Sequence, residues 1–253
     1  MLKALYARLH QGHRTIGFPK TAPALPDRLR GRPVIDASKC PPGCRECVEV
    51  CPTDAITHLG KGLRLDLGRC LFCPECTQAC PEGVVRFTQE YGLATSRRGA
   101  LVIGDKELEL AEALDTKSRR MFGRSLKLRQ VSAGGCNACE ADLNVLSTVV
   151  FDLSRFGIQF VASPRHADGL LITGPVTQNM RLALQKTYEA VPAPKLVIAV
   201  GACAISGGPY IHHAEVHNGA DSTLPVDLYL PGCPPHPITI LDGLLRWLGR
   251  LEG

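Results

Sequence analysis

Residues 40–52 read CPPGCRECVEVCP and residues 70–81 read CLFCPECTQACP. Each stretch carries four cysteines and closes on Cys-x3-Cys-Pro: Cys40, Cys44, Cys47 and Cys51 before Pro52, then Cys70, Cys73, Cys76 and Cys80 before Pro81. Three close cysteines in a tight loop reach three corners of one iron–sulfur cubane, whereas the fourth leads away into a helix and serves the other cluster. The two stretches lie about 30 residues apart and are versions of one element, so residues 36–90 read as an internally duplicated compact unit. The first loop has Cys-x3-Cys in place of Cys-x2-Cys, the insertion being occupied by Pro41, Pro42 and Gly43. Zinc sites also use Cys-x2-Cys pairs, but they do not call for two triplets each closed by Cys-Pro.

This pattern resembles that of bacterial two-cluster ferredoxins. The resemblance implies crossed ligation, with Cys40, Cys44, Cys47 and Cys80 on one cluster and Cys70, Cys73, Cys76 and Cys51 on the other.

Four cysteines remain of the twelve in the 253-residue chain. No run of 18 apolar residues exists, and the opening MLKALYARLHQG lacks an apolar core followed by a small-residue cleavage site, so a cytoplasmic protein is expected. Thiols stay reduced in that compartment, which makes metal ligation the leading use for all twelve. Cys136 and Cys139 lie in GGCNACE, Cys203 in GACAISGG and Cys233 in PGCPPHP, each after a predicted strand. Loops at the carboxyl ends of parallel strands share one sheet edge, so these four are expected to converge. The glycines around them, Gly134, Gly135, Gly201, Gly207, Gly208 and Gly232, let backbone approach a bulky cofactor, which favours a third cluster over buried structural cysteines.

From residue 127 onward, β-rich runs alternate with helical stretches: LKLRQV, a helix near 139–152, GIQFV, GLLIT, a helix near 178–190, KLVIAV, VDLYL and a helix near 236–250. The expected fold class is α/β, a two-cluster ferredoxin-like N-terminal module over 36–90 joined to a flavodoxin-like parallel-sheet module over 127–253. Residues 91–126 mix helical spacing in LELAEAL with Lys117, Arg119, Arg120 and Arg124 and read as a solvated surface connector.

Charge is concentrated in residues 1–35. Seven basic side chains there against Asp27 alone make the segment +6, which leaves the remainder at −1 within the total of +5. Leu2, Leu5, Tyr6 and Leu9 follow helical spacing with Lys3 and Arg8 off the stripe and Gly12 as a stop, predicting a short basic amphipathic helix. It suits anionic lipid, an acidic partner or packing on its own protein. The excess charge is confined to this arm and aromatics are few, so no nucleic-acid partner is expected.

The run SPRHADGLLITGPVT over 163–177, with GGCNACE, GACAISGG and PGCPPHP, resembles the small electron-transfer subunit of energy-converting NiFe hydrogenases, to which a complex I subunit is homologous. Residues 1–90, with RGRPVID before Cys40, resemble the separate ferredoxin-type subunit of formate hydrogenlyase and related complexes. The chain thus looks like both subunits fused. The resemblance implies that Cys136, Cys139, Cys203 and Cys233 hold the cluster nearest a partner's active site, for three 4Fe-4S clusters in all.

Implied partners are a NiFe hydrogenase large subunit, other hydrogenase or complex I-like membrane-complex subunits, and an electron donor such as formate dehydrogenase or ferredoxin. The implied location is peripheral, on the cytoplasmic face of the inner membrane. No Cys-x2-Cys pair is left for nickel, so the catalytic metal is expected on another subunit. Complex I-type subunits carry their first two ligands as adjacent cysteines, so the spacing of Cys136 and Cys139 favours the hydrogenase branch over a quinone reductase. A zinc-stabilised scaffold without redox function is the alternative from another class. Glu140 and Asp142 are expected to favour a helix N-terminus. Arg165, His166 and Asp168 either face the partner's active-site region or form a local ion pair, and His212, His213, Glu215 and His217 read as a solvated loop.

Overall fold

In the computed structural model, which describes residues 2–12, 14–59, 62–104 and 108–251, the first regular element is helix α1, Leu2–Gln11. Met1 and His13 of the basic arm and residues 105–107 of the expected connector lie outside the described residues. α1 stops at Gly12, whose N–H donates to the Arg8 carbonyl at 3.0 Å and whose φ of +65° costs a glycine little. No residue of α1 is buried, so the alternative of a helix packed on its own protein does not hold. The following arm is stapled down. Ile16 N–H donates to the Val150 carbonyl at 2.9 Å, and Arg155 donates to the carbonyls of Ile16 and Phe18, each at 2.9 Å.

Strand β1 (Pro33–Ile35) opens the ferredoxin-like module. The first cysteine loop runs into a one-turn helix, α2 (Glu46–Glu49), then a hairpin of β2 (Ile56–Leu59) and β3 (Gly62–Asp66). The second loop runs into α3 (Glu75–Ala79) and β4 (Val85–Phe87), which returns to pair antiparallel with β1. The repeated loop–helix–strand order is the duplication read from the cysteine spacing.

Residues 91–126 are not a solvated connector. Ala94, Thr95 and Leu101 have no exposure, and Thr95 exchanges backbone hydrogen bonds of 3.1 and 2.9 Å with Tyr229. Strand β5 (Val102–Ile103) extends the β2–β3 hairpin to three strands. The LELAEAL stretch, residues 108–114, is not helical; it buries Leu108 and Ala111 as irregular chain. Tertiary burial here outweighs local helical spacing. The helix comes later, as α4 (Thr116–Phe122), because Asp115 caps it by accepting from the N–H groups of Lys117 and Ser118 at 2.8 and 3.1 Å.

The second module follows the predicted alternation: β6 (Leu126–Ser132), α5 (Ala138–Val145), β7 (Ile158–Phe160), β8 (Gly169–Thr173), α6 (Gln178–Ala190), β9 (Leu196–Val200), α7 (Gly201–Ser206), β10 (Leu228–Leu230) and α8 (Pro237–Trp247). All five strands are parallel in the order β7–β6–β8–β9–β10, which is the flavodoxin-like arrangement. The short α7 was not expected from the sequence. Strands β8 and β9 are buried along their whole length, as continuous apolar runs in a doubly covered parallel sheet should be.

Residues alternate between the sheet's two faces, and the faces pack differently. Leu171, Ile198, Val200 and Leu230 point into a core with α5 and α8, whose Leu143, Leu241 and Leu244 are fully buried. Leu170, Ile172, Val197 and Ala199 point the other way, into one continuous core with Leu65, Leu67 and Leu101 of the first module. The approach is close: a Cβ added at Gly68 would stand 2.7 Å from Ile205. Beside it, Arg98 donates to both carboxylate oxygens of Asp66 at 2.8 and 2.6 Å. Among the described residues no helix is long and apolar enough to cross a membrane.

Because Leu67 is fully buried in the core common to both modules, Leu67→Ala should lower stability by about 2–5 kcal/mol. Both modules should lose their structure together, which thermal denaturation followed by near-ultraviolet and visible circular dichroism would check.

Candidate metal centres

The twelve cysteines are all free thiols, and the fold gathers them into three sets. The first set joins Cys40, Cys44 and Cys47 to Cys80 of the other repeat. Burial, then the neighbouring thiols of Cys44 and Cys80, push the Cys40 thiol up. At Cys47 the same is done by burial and then by Cys80, Cys40 and Cys44. The second set mirrors it. The Cys70 thiol is pushed up to about 12 by burial and by Cys76, Cys51 and Cys73, against an N–H bond from Phe72 that lowers it. Burial raises Cys76 to about 11, with Cys73 and Cys51 adding to the effect. Cys51 and Cys80 have therefore changed places, each standing among the triplet of the other repeat.

Backbone donors already point at sulfur in the second set. Phe72 N–H donates to Cys70 Sγ at 3.3 Å and Ala55 N–H donates to Cys51 Sγ at 3.2 Å. Such bonds favour the thiolate, the form that binds metal.

The third set stands at the carboxyl edge of the five-stranded sheet. Cys136 and Cys139 follow β6, Cys203 lies in the first turn of α7 directly after β9, and Cys233 follows β10. Burial pushes the Cys139 thiol far up, followed by Cys203, Glu140, Cys233 and Cys136. Cys203 rises to about 12, by burial and then by Cys233, Cys136 and Glu140. Cys136 and Cys233 reach the surface, whereas Cys139 and Cys203 are half-buried. Two glycines make the convergence possible. Gly201, at φ +87°, leaves room where a Cβ would stand 2.5 Å from Cys139 Sγ, and Gly208, at φ +54°, does the same 2.8 Å from Cys203 Sγ.

The donor sets fit a four-iron cluster better than a lone ion. Zinc holds each sulfur at about 2.3 Å, which brings four sulfurs within roughly 3.8 Å of one another. Among the described residues, no three His, Cys, Asp or Glu side chains gather as a single-ion site. Neighbouring thiols nevertheless add to the rise that burial causes at Cys40, Cys47, Cys70, Cys76, Cys139, Cys203 and Cys233, which suits a larger core between them. Iron would supply the positive charge that makes four neighbouring thiolates tolerable.

The sets also influence one another electrostatically. Cys47 of the first set raises Cys76 of the second, and Cys73 of the second raises Cys233 of the third after burial and Cys136. No spacing in the sequence announces the pairing of Cys73 with Cys233, because it depends on how the two modules dock.

A family description matches each part of the chain. Residues 136–247 match the NADH ubiquinone oxidoreductase 20 kDa subunit family, and residues 39–84 match the 4Fe-4S dicluster domain. A probable membrane-bound hydrogenase subunit of Pyrococcus furiosus is 41% identical over 132 residues, which are 52% of this chain and 79% of that one. The chain belongs to the NADH ubiquinone oxidoreductase 20 kDa subunit family. Formate hydrogenlyase subunit 7 of Escherichia coli is 46% identical over 129 residues, about half of each chain at 51%. An NADH-quinone oxidoreductase subunit of Heliobacterium modesticaldum is 40% identical over 121 residues, 47% of this chain and 69% of that one. The dicluster domain sets iron–sulfur chemistry for the first module.

The remaining expected residues divide. Glu140 stands in the first turn of α5, but its Oε1 accepts from Ser132 at 2.5 Å and Thr173 at 2.6 Å, tying the ends of β6 and β8 together. Burial opposes its ionisation, yet those two hydroxyls hold its carboxyl below the usual range. Asp142 is instead raised by burial and lines a cavity of about 380 Å³ shared with Arg28, Arg30, Phe72 and His236. Asp168 accepts from Lys127 N–H at 2.7 Å, and with Arg165 and His166 it stands at the amino end of β8, across the sheet from the third cysteine set. His217 Nε2 pairs with Gln178 Oε1 at 2.9 Å and His213 Nδ1 accepts from Glu215 N–H, so that loop is a local hydrogen-bonded turn.

Gly201→Ala should displace Cys139 Sγ and remove about four irons per chain, leaving the eight-cysteine module loaded. Iron and sulfide determination on anaerobically purified protein would check this, and full iron content in the variant would contradict the role given to Gly201.

Proposed function

We propose that the chain is the electron-relay subunit of a membrane-associated NiFe-hydrogenase complex of the formate hydrogenlyase type. In this reading Cys40, Cys44, Cys47 and Cys80 hold one 4Fe-4S cluster, Cys70, Cys73, Cys76 and Cys51 a second, and Cys136, Cys139, Cys203 and Cys233 a third. Each bound cluster supplies one-electron transfer. The observation that supports the reading is the electrostatic influence between successive sets, Cys47 on Cys76 and Cys73 on Cys233, which fits a relay passing from one set to the next.

The chain's residues supply holding, spacing and shielding. The loop over 41–45 is the open end, with Pro41, Pro42, Gly43 and Arg45 exposed, and it suits a docking electron donor such as formate dehydrogenase or a ferredoxin. Cys70 and Cys76 are buried at the middle site. Cys136 and Cys233 are exposed at the far end, where a large subunit carrying the NiFe centre would cover them. The complex would hold the chain peripherally on the cytoplasmic face of the inner membrane.

The names of two relatives, a formate hydrogenlyase subunit and a probable membrane-bound hydrogenase subunit, support this choice. The two residues between Cys136 and Cys139 favour it over a complex I-like quinone reductase, whose relatives match to a similar degree.

Cys203→Ser should reduce iron from about twelve to about eight per chain and remove one of the paramagnetic signals of the reduced protein. Electron paramagnetic resonance with parallel iron analysis would test it. Unchanged iron, or about four irons in the unsubstituted chain, would sink the three-cluster reading.

A further inference from the structure

The helix α1 is the part of the chain that the relay does not use. Leu2, Leu5, Tyr6 and Leu9 are exposed to 83, 59, 71 and 77%. At about 100° per residue they fall in an arc roughly 100° wide, and Lys3 and Arg8 lie about 110° to either side of its centre. His10 stands on the same flank as Lys3, stacked on Tyr6 with ring centroids 6.0 Å apart. No carboxylate occurs in Leu2–Gln11. A ten-residue helix is marginal in water without something against its apolar face.

The root of α1 is fixed to the second module. Thr15 Oγ1 donates to the Val149 carbonyl at 2.8 Å and Ile16 N–H to the Val150 carbonyl at 2.9 Å. Val149 and Val150, themselves 64 and 41% exposed, are therefore beside the point where the helix leaves the protein. Arg14 and Lys20, both exposed, add positive charge along the same strap.

We infer that α1 is a membrane-surface anchor, lying flat on an anionic bilayer with Leu2, Leu5, Tyr6 and Leu9 inserted and Lys3 and Arg8 on the headgroups. The charge decides the occupant. Cations on both edges of a narrow apolar stripe let both long side chains reach one plane of phosphates while their stems cover the stripe's margins. A groove in a protein would have to supply acidic groups on both of its lips. The chain would then touch lipid directly, without a spanning helix and in addition to any hold its complex supplies.

The test uses the full, cluster-loaded chain and sucrose-loaded vesicles, either of phosphatidylcholine alone or of phosphatidylcholine with phosphatidylglycerol. The protein should sediment with the anionic vesicles at low ionic strength, and much less with the neutral ones or at high salt. Leu5→Glu with Leu9→Glu should weaken anionic-vesicle binding by roughly tenfold or more, as should Lys3→Gln with Arg8→Gln. Iron content should stay unchanged in both variants because α1 buries nothing in the fold, so a failure of this inference is separate from a failure of the relay. Absence of sedimentation with anionic vesicles would overturn the inference, as would binding indifferent to both double variants. Loss of a partner subunit from the purified complex in the leucine variant, without any vesicle binding by the unsubstituted chain, would assign α1 to a protein groove instead.

Discussion

One face of the five-stranded sheet packs against α6, α7 and the ferredoxin-like module together, and the spacing of the cysteine sets depends on that contact. Val197 and Ala199 share a core with Leu184 of α6, with Leu65 and Leu67 of the first module and with Leu101 of the segment after it, so the helix layer and the first module cover this face jointly. Burial of this kind is not directional, so it cannot by itself fix the angle between the modules. The Thr95–Tyr229 backbone exchange and the side-chain-free surface of Gly68 against Ile205 supply direction. Together they set Cys73 beside Cys233, two residues 160 positions apart in a chain whose segments could otherwise have met at many angles.

The same docking creates an electrostatic problem that the bare polypeptide does not solve. Burial, and after it the neighbouring thiols, pushes up Cys40 and Cys47 of the first set, Cys70 and Cys76 of the second, and Cys139, Cys203 and Cys233 of the third, so these thiols resist ionisation. Iron held as proposed would make deprotonation favourable. Packing, backbone and charge are thus satisfied at once only in the loaded state. The N–H groups of Ala55 and Phe72 and the openings left by Gly201 and Gly208 are laid out for it. Glu140, held ionised by Ser132 and Thr173, adds a negative charge beside Cys139 and Cys203 that only a cationic core would offset.

Local features of the sequence were legible because their causes are local. The paired Cys-x3-Cys-Pro closures give the duplication, and the alternating β-rich and helical runs from 127 onward give every strand of the parallel sheet. The convergence of Cys136, Cys139, Cys203 and Cys233 followed from where parallel strands end. Residues 91–126 depart from their local pattern because LELAEAL has helical spacing while its actual constraint, burial between two modules, comes from residues far away in sequence. The small helix α7 was missed for a related reason: GACAISGG reads as a glycine-rich loop, and six residues leave too short a run for periodicity to register. Arg165 and His166 could not be placed on an edge of the sheet until the start of β8 was known.

In the proposed relay, the exposure of the cysteine loops differs from site to site, and the difference has a physical use. The first and middle sets each bury two thiols, Cys47 with Cys80 and Cys70 with Cys76, but the first has its loop over 41–45 in solvent while the middle loop buries Phe72, and the third set exposes Cys136 and Cys233. Solvent exposure and hydrogen bonds to sulfur are among the main controls on cluster potential. A shielded middle site would differ from its neighbours even with identical ligands. Access for partners is needed only at the two ends, so closing the middle restricts exchange there to the adjoining sets. The third site would change environment again if a partner covered Cys136 and Cys233 as proposed, since removing water there alters the energy of every charge state it holds. Its working potential is therefore a property of the assembled complex, and the isolated chain fixes only its ligands and its distance from Cys73.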